Sequence, residues 1–562
     1  MTAQNILVAV AWPYTNGELH LGHLAGCYLA ADIFARYHRL TGNQVLMVSG
    51  SDQHGTPITV TAEEEGLTPQ EVVDKYRQGQ LDVWDCLGIT FDLFTTTGTQ
   101  NHQGVVHDIF NTLVENGLAV RKTTELLYSE VDRRFLPDRY VEGTCPFCDH
   151  DPARGDQCDN CGRPMDPLEL KNPRSRLSGD TPKIRESEHY FLRLSALETE
   201  LLNWVERQPH WRVNVRHFTR GYIKEGLHDR AITRDIDWGV SVPLDDYSNK
   251  RMYVWFEAVI GYLSASKEWA ALQGKPNAWK DFWYGPNAKT YHFIGKDNIP
   301  FHTIIWPAIL MGYDKDLNLP FDVPANEYLN MYGGKFSKSE RRAVGIKDFL
   351  ERYEPDTLRY YIAATMPETS DTDFTWEEVV RRTNDELVAT YGNLVHRVLS
   401  FIRSQFNGKV PQPAVLNHTQ EQMISVAKTA LKDVGNQISQ NNFRDGLRTA
   451  MGVAQEANKL LDSEAPWKTI KEDRSKAGTT LWVVLYLIST LKTVMQPYLP
   501  FSSQKLHTLL GFDRKLENTG WDIDEPIPGT TLPSPEPLFT KLDESVVEDE
   551  VQRMSENSQS SK

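Results

Sequence analysis

The chain predicts an α/β fold: a doubly wound parallel sheet, interrupted by an inserted cysteine-bearing domain and followed by a C-terminal α-helical bundle. Three observations predict it. Short apolar runs at 6–10, 45–48 and 291–295 alternate with helical stretches, the pattern of parallel strands covered on both faces. Between them, residues 116–228 break that rhythm with turns, prolines and two Cys-x-x-Cys pairs. From Trp376 to about Leu499, apolar residues recur at three- and four-residue spacing with few glycines, as helices packed in a bundle require.

The first strand, 6–10, runs into Ala11-Trp12-Pro13-Tyr14-Thr15-Asn16-Gly17, then into His20-Leu21-Gly22-His23 at the start of a helical stretch that ends near Arg39. The first N–H groups of a helix have no internal partner and sit at the positive end of its dipole, so an anion is favoured there. His20 and His23, three apart, share one helical face and can reach one polyphosphate together, and Gly17 and Gly22 let a ligand approach the backbone. The next strand, 45–48, leads to Asp52, at the carboxyl end where ligands of such sheets collect. Residues 1–115 are thus the first half of the sheet domain.

Within the insert, Cys145-x-x-Cys148 and Cys158-x-x-Cys161 have the ligand spacing of a tetrahedral Zn²⁺ site. With four thiolates the metal keeps no open position, so its role is structural. Disulfides do not suit a chain of this size with no secretory leader. The sheet is expected to resume at 252–256 and 290–295, completing a second half over 229–325. A linking segment, 326–375, carries Lys335-Phe336-Ser337-Lys338-Ser339 behind Gly333-Gly334, which suits a loop that closes and opens. Its lysines would meet a pyrophosphate leaving group, where negative charge accumulates. The bundle covers 376–510. The extension 511–562 ends in an acidic, polar tail expected to be disordered.

At 562 residues the chain exceeds one core. With 40% apolar and 24% charged residues it has the composition of a soluble globular protein, and the apolar run at 481–488 is far short of a membrane span. The opening strand is too short for a leader, and a cytoplasmic location is expected. A net charge of −16 opposes indiscriminate nucleic-acid binding but leaves room for a local basic track, of which Arg381, Arg382, Arg397 and Arg403 are candidates.

The two separated signatures resemble the "HIGH" and "KMSKS" motifs of the class I aminoacyl-tRNA synthetases, each with one apolar substitution. Within that class the chain is similar to the methionyl-tRNA synthetase family from about residue 5 to about 510, through Ala11 to Gly17, Asp52-Gln53-His54-Gly55, Trp255-Phe256-Glu257-Ala258, Gly295-Lys296-Asp297 and Ala465-Pro466-Trp467. The resemblance implies a Rossmann-like sheet with an inserted zinc-knuckle domain. It implies an aminoacyl-tRNA ligase that forms a carbon–oxygen bond, with ATP, Mg²⁺, L-methionine and tRNA(Met) as partners; with no extra dimerisation domain evident beyond residue 540, a monomer is expected. His20, His23, Lys335 and Lys338 become catalytic. Tyr14, Gly17, Gly22, Gly295, Lys296, Asp297 and Ser339 join them around ATP. Ala11, Trp12, Tyr14, Trp255, Ala258, Tyr262, Asn298, His302 and Trp306 map onto the methionine pocket, with Asp52 on the α-amino group. Asn393, Arg397 and Trp467 map onto the anticodon contacts. The chain departs from some members at Trp12, Val259 and Asn298.

A soft, unbranched thioether suits an aromatic slot with little hydrogen bonding. Synthetases for leucine, isoleucine or valine carry a larger hydrolytic insertion, because one methylene discriminates poorly. A cysteine enzyme would place zinc in the substrate site. Small nucleotidyltransferases share the His-Leu-Gly-His signature but need no helical bundle. A non-catalytic tRNA-binding relative would not need His20, His23, Asp52, Lys335 and Lys338 together.

Overall fold

The computed structural model describes residues 3–335 and 344–557. Five parallel strands form the central sheet: β1 (Asn5–Val10), β2 (Gln44–Ser51) and β3 (Leu93–Thr96) precede the insert. An antiparallel pair, β4 (Ala119–Ser129) and β5 (Lys183–Leu192), carries the chain through the insert. β6 (Ala288–Gly295) and β7 (Ala325–Asn326) then return to the sheet, whose order is β7-β6-β1-β2-β3. Because β1 lies between β2 and β6, with Val8 opposite both Met47 and Tyr291, the winding reverses at β1. The crevice at the carboxyl ends of β1 and β6 is therefore the switch point where such sheets bind ligands.

Residues 6–10 are wholly buried, and their alternation sorts them into two cores. Ile6, Val8 and Val10 face a core that runs through helix Leu29–Leu40 into the C-terminal bundle. Leu7 and Ala9 face a second core shared with helix Val254–Leu272 and with Leu192 and Trp204 of the insert. The sheet is thus covered on both faces, which explains its uninterrupted apolar runs.

The structure differs from expectation at 252–256. Only Arg251–Met252 is extended, pairing antiparallel with Thr233–Arg234 outside the main sheet, and helix Val254–Leu272 follows. The aromatic run reads as a strand locally. The small residues after it, Ala258, Gly261 and Ala265, let the segment lie as a helix against β2 and helix Gln100–Glu115.

After the sheet, β8 (Leu329–Met331) pairs with β9 (Gly334–Lys335) and with β10 (Thr372–Phe374). The bundle is built on Asn393–Gln405, His418–Ser439, Phe443–Glu464 and Arg474–Met495. Among the described residues, Arg474–Met495 alone is long and apolar enough to cross a membrane, but 94% of its apolar window is buried in the protein. The tail expected to be disordered instead contains helix Val546–Asn557. Its acidic face hides a docking face: Val546, Val547 and Met554 pack on the core, and buried Glu550 accepts hydrogen bonds from Arg352 Nε and the Tyr353 hydroxyl, each at 2.7 Å.

Candidate functional site

At the helix tip, His20 is the N-cap of Leu21–His23, in extended backbone, and its Nδ1 accepts the Gly22 N–H at 3.1 Å. His23 reciprocates, its Nδ1 accepting the His20 N–H at 3.1 Å. A ring nitrogen that accepts cannot carry the proton, so both imidazoles are neutral Nε2–H tautomers. Two Nε2–H donors on rings with centroids 3.9 Å apart therefore stand at the switch point. Immediately after them the helix widens into a π turn, Leu24–Tyr28, a device frequent at functional sites.

Lys335 ends β9, while Lys338 and Ser339 lie outside the described residues. The chain re-enters at Val344, whose carbonyl accepts the Leu21 N–H at 3.2 Å, and Ile346 N–H donates to the Leu19 carbonyl at 3.0 Å. The segment that follows the lysine motif is thus tied by backbone bonds to the His20–His23 tip, although some three hundred residues separate the two in sequence.

Asp52, only 3% exposed, lies beyond β2. Its backbone pairs with Pro13 and Thr15 (Asp52 N–H to Pro13 O 2.9 Å, Thr15 N–H to Asp52 O 3.0 Å), and its Oδ1 accepts the His54 N–H at 3.2 Å. Burial, reinforced by the nearby Glu257 charge, pushes its carboxyl well above the usual carboxylate range. Glu257 is fully buried, with Oε1 2.8 Å from His54 Nδ1 and Oε2 2.5 Å from His102 Nε2. Burial alone would raise it, but the two imidazoles outweigh that and hold it near 2. His54 and Glu257 stand within the quoted motifs, and His102 in none. Their pairing spans 203 and 155 residues, so no local pattern announces it.

The Tyr14 and Tyr262 rings lie close enough to Asp52 to interact with it electrostatically. Trp255, Ala258 and Tyr262 share one face of helix Val254–Leu272. The Tyr262 hydroxyl is 2.7 Å from His302 Nε2, and His302 Nδ1 is 2.9 Å from the Asn298 carbonyl oxygen. Because that carbonyl only accepts, Nδ1 carries the proton and Nε2 accepts from Tyr262. Trp306 donates to His292 Nε2 at 3.2 Å, and Trp255 to the Tyr14 hydroxyl at 2.8 Å. Burial lowers His302 to about 4, so it stays neutral. Most polar atoms of these rings are thus engaged with one another, His292 Nδ1 and the neighbouring Trp12 Nε1 being buried without a partner among the described residues. Trp12 fits because Gly50 and Gly261 leave it room: a Cβ there would come within 2.5 Å and 2.8 Å of its ring. Ala11 closes the end of β1, its carbonyl accepting the Tyr28 hydroxyl at 2.8 Å.

Gly295 ends β6, and Lys296 and Asp297 follow it at the same crevice. Lys296 does not point out as an isolated cation. Its ammonium pairs with Glu327 at 2.8 Å and Asp371 at 2.7 Å. The Asn298 amide donates to Asp297 Oδ1 at 3.3 Å, so its side chain belongs to the Asp297 end and its carbonyl to the His302 end. Gly17 lies in the turn between β1 and the helix tip, half-buried.

In the insert, the four Sγ atoms of Cys145, Cys148, Cys158 and Cys161 lie within 4.8 Å of one another. Separations of 4.0 Å (Cys145–Cys161) and 3.7 Å (Cys148–Cys158) match the roughly 3.8 Å edge of a tetrahedron with metal–sulfur bonds near 2.3 Å and exclude disulfides, which need about 2.05 Å. Phe147 N–H and the Asn160 amide donate to Cys145 and Cys148 sulfurs, as thiolates require. The knuckle shares a small core with Val60 of helix Thr56–Glu65. Arg139 of the insert pairs with Asp156 at 3.1 Å and acts electrostatically on Tyr14.

On the bundle, Asn393, Arg397 and Trp467 are all exposed. The Arg397 guanidinium lies 5.2 Å from the centroid of Trp467, which follows Pro466 and a left-handed Ala465 (φ 39°). The basic track expected nearby is weaker than its sequence suggests. Arg381 and Arg382 both pair with Glu378 and Glu386, and Arg397 with Asp462 at 3.3 Å, so three of its four cations already have an acidic partner.

Residues 6–399 match the family model described as tRNA synthetases class I (M), and residues 410–559 the anticodon binding domain of methionyl tRNA ligase. The methionine–tRNA ligase of Thermomicrobium roseum is 51% identical over 98% of this chain and 99% of its own length, and that of Dehalococcoides mccartyi 54% over 98% and 100%. Methionyl-tRNA synthetase of Mycobacterium tuberculosis bound by methionyl-adenylate superposes with a TM-score of 0.80 at 25% identity, over 96% of this chain and 100% of that one.

Proposed function

The chain belongs to the methionine-type class I tRNA synthetases, and we propose that it is a methionine–tRNA ligase whose two steps share the crevice at the β1/β6 switch point. In the first, the methionine carboxylate attacks the α-phosphorus of ATP and pyrophosphate leaves, forming methionyl-adenylate. In the second, the 3′-terminal ribose of tRNA(Met) takes the methionyl group, for initiation and elongation. No protein nucleophile is needed, so catalysis rests on positioning and on stabilising charge. What supports this is the match to both family models and to near-full-length relatives, together with two Nε2–H donors after β1 and a buried Asp52 after β2, at the carboxyl ends of neighbouring strands.

His20 and His23 donate to the ATP phosphates, backed by the helix dipole. Lys335, Lys338 and Ser339 close over the pyrophosphate, from a segment anchored beside the same tip at Val344. Mg²⁺ carried with ATP neutralises phosphate charge. Tyr14, Gly17, Gly22, Gly295, Lys296 and Asp297 surround the nucleotide. Lys296 acts through its pairs with Glu327 and Asp371, shaping the floor rather than meeting phosphate directly. Asp52 receives the ammonium group. Ala11, Trp12, Tyr14, Trp255, Ala258, Tyr262, His302 and Trp306 enclose the thioether, and Asn298 orients His302 through its carbonyl. Asn393, Arg397 and Trp467 read the anticodon, with Trp467 exposed for stacking. One Zn²⁺ held by the four thiolates stabilises the insert, and elemental analysis should find one zinc per chain. The protein acts as a cytoplasmic monomer.

Methionine-dependent ATP–pyrophosphate exchange by the pure protein tests the proposal. Exchange with methionine and not with leucine, isoleucine or valine is expected, and exchange driven by another amino acid, or by none, rejects it.

A further inference from the structure

On the reading above, the ammonium group is the charged part of methionine that an aromatic slot cannot hold, and it falls to Asp52. Asp52 does not stand alone. The His54 backbone N–H on its Oδ1 comes from a residue whose ring is held by Glu257, and the far oxygen of Glu257 is held by His102, whose Nδ1 is 2.8 Å from the Ser264 hydroxyl. Three elements meet there: the turn after β2, the first turn of helix Gln100–Glu115, and helix Val254–Leu272. Trp238 packs edge-on to His54 and Trp12 lies 6.2 Å from His102, so both imidazoles are boxed in.

A carboxylate with no exposed surface is costly unless it is paired, and among the described residues the pairs of Glu257 are these two imidazoles. A position needed only for packing would be served by a neutral residue. The other groups facing Asp52 are Tyr14 and Tyr262, with Tyr253 and Arg139 of the insert acting on Tyr14. On the same helix as Glu257, Glu268 is engaged by the Thr95 hydroxyl at 2.9 Å. The groups that bond the two carboxyls are the His54 N–H on Asp52 and the His54 and His102 rings on Glu257.

We propose that Glu257, clamped by His54 and His102, is a positioning residue for amino-acid binding: it holds the His54 N–H on Asp52 and sets a second negative charge behind it, so that the substrate ammonium enters a field of two carboxylates. Before the ammonium binds, burial and then the like charge of Glu257 favour a proton on Asp52. When the ammonium binds, Asp52 gives that proton to solvent and the ion pair forms, so methionine binding releases a proton. Affinity for methionine accordingly rises as pH rises through the Asp52 titration.

The test is the pH dependence of methionine-dependent exchange in wild type, Glu257→Gln and Glu257→Asp, with calorimetry of methionine binding in buffers of different ionisation enthalpy. Glu257→Gln is expected to raise KM for methionine about tenfold while leaving KM for ATP and kcat within about twofold. It should move the acid limb of kcat/KM for methionine to lower pH and shrink the proton release, because a neutral neighbour lets Asp52 ionise more readily. Glu257→Asp keeps the charge and should return the limb towards its wild-type place. An unmoved limb with unchanged KM overturns the proposal, as does an equal loss in both substrates and kcat without a limb shift, which is what a merely structural role predicts. If Glu257→Gln does not fold, His102→Gln, which releases only the far oxygen, should raise KM for methionine by a smaller factor, and no change in it overturns the proposal. Wild-type protein without methionine-dependent exchange rejects the parent assignment itself, whereas active wild type with an unmoved variant rejects this inference alone.

Discussion

The sheet crevice and the bundle surface are built by opposite means. Around Asp52 the polar groups are buried and already paired: Glu257 with two imidazoles, His302 with Tyr262, Trp306 with His292. At the bundle, Asn393, Arg397 and Trp467 stand in solvent, and the ion pair of Arg397, with Asp462 at 3.3 Å, joins two exposed side chains. A buried network has lost its water on folding and is held in one geometry, whereas an exposed ion pair is worth little and is readily exchanged for a base or phosphate. On the proposed reading, the small substrate meets side chains fixed before it binds, and the RNA meets side chains that can exchange partners.

The largest break in that comparison comes from His23→Ala, which removes both the proposed phosphate donor and half of the reciprocal cap. Exchange should fall by roughly 10²–10³-fold, the cost of losing one preorganised donor, while tRNA binding measured by filter retention stays near wild type. Trp467→Ala should do the reverse. Exchange should stay within about twofold, and kcat/KM for tRNA aminoacylation should fall by about ten- to a hundredfold, as loss of one stacked base predicts; equal losses in both assays would contradict the division of labour. Smaller again, Gly261→Ala pushes a methyl group into the Trp12 ring and should raise KM for methionine by about tenfold, within the ~1–3 kcal/mol of core overpacking, with anticodon reading untouched. Least of all, Arg381→Gln should change aminoacylation by less than about twofold, because Glu378 and Glu386 already neutralise that guanidinium and exposed pairs contribute little. A large effect there would mean that the pair opens on RNA binding.

Residues 6–10 announced a buried parallel strand because burial on both faces removes polar alternation. The spacing of Cys145, Cys148, Cys158 and Cys161 announced a tetrahedral site because two short loops suffice to bring four sulfurs together. His20 and His23 were visible as a helix start. Their tautomer was not, since it depends on which backbone N–H each ring accepts. Residues 252–256 misled, because an aromatic run favours a strand until the small residues after it meet β2. The acidic C-terminal tail misled for a similar reason: its composition is that of a solvated segment, but Arg352 and Tyr353, nearly two hundred residues away, give Glu550 a buried berth.

Local order in the chain therefore determined what recurs within a few residues: strand and helix periods, the helix-tip motif, the cysteine ligand spacing, and a tryptophan set behind a proline. Tertiary structure alone decided which charges face one another: Glu257 with His54 and His102, Lys296 with Glu327 and Asp371, Arg381 with Glu386, and the Trp12 ring in the space left by Gly50 and Gly261. The reason is physical. Periodicity and capping act over one turn of backbone, whereas the energy of a charge or a cavity depends on distances across a sheet whose strand order no short stretch of sequence encodes.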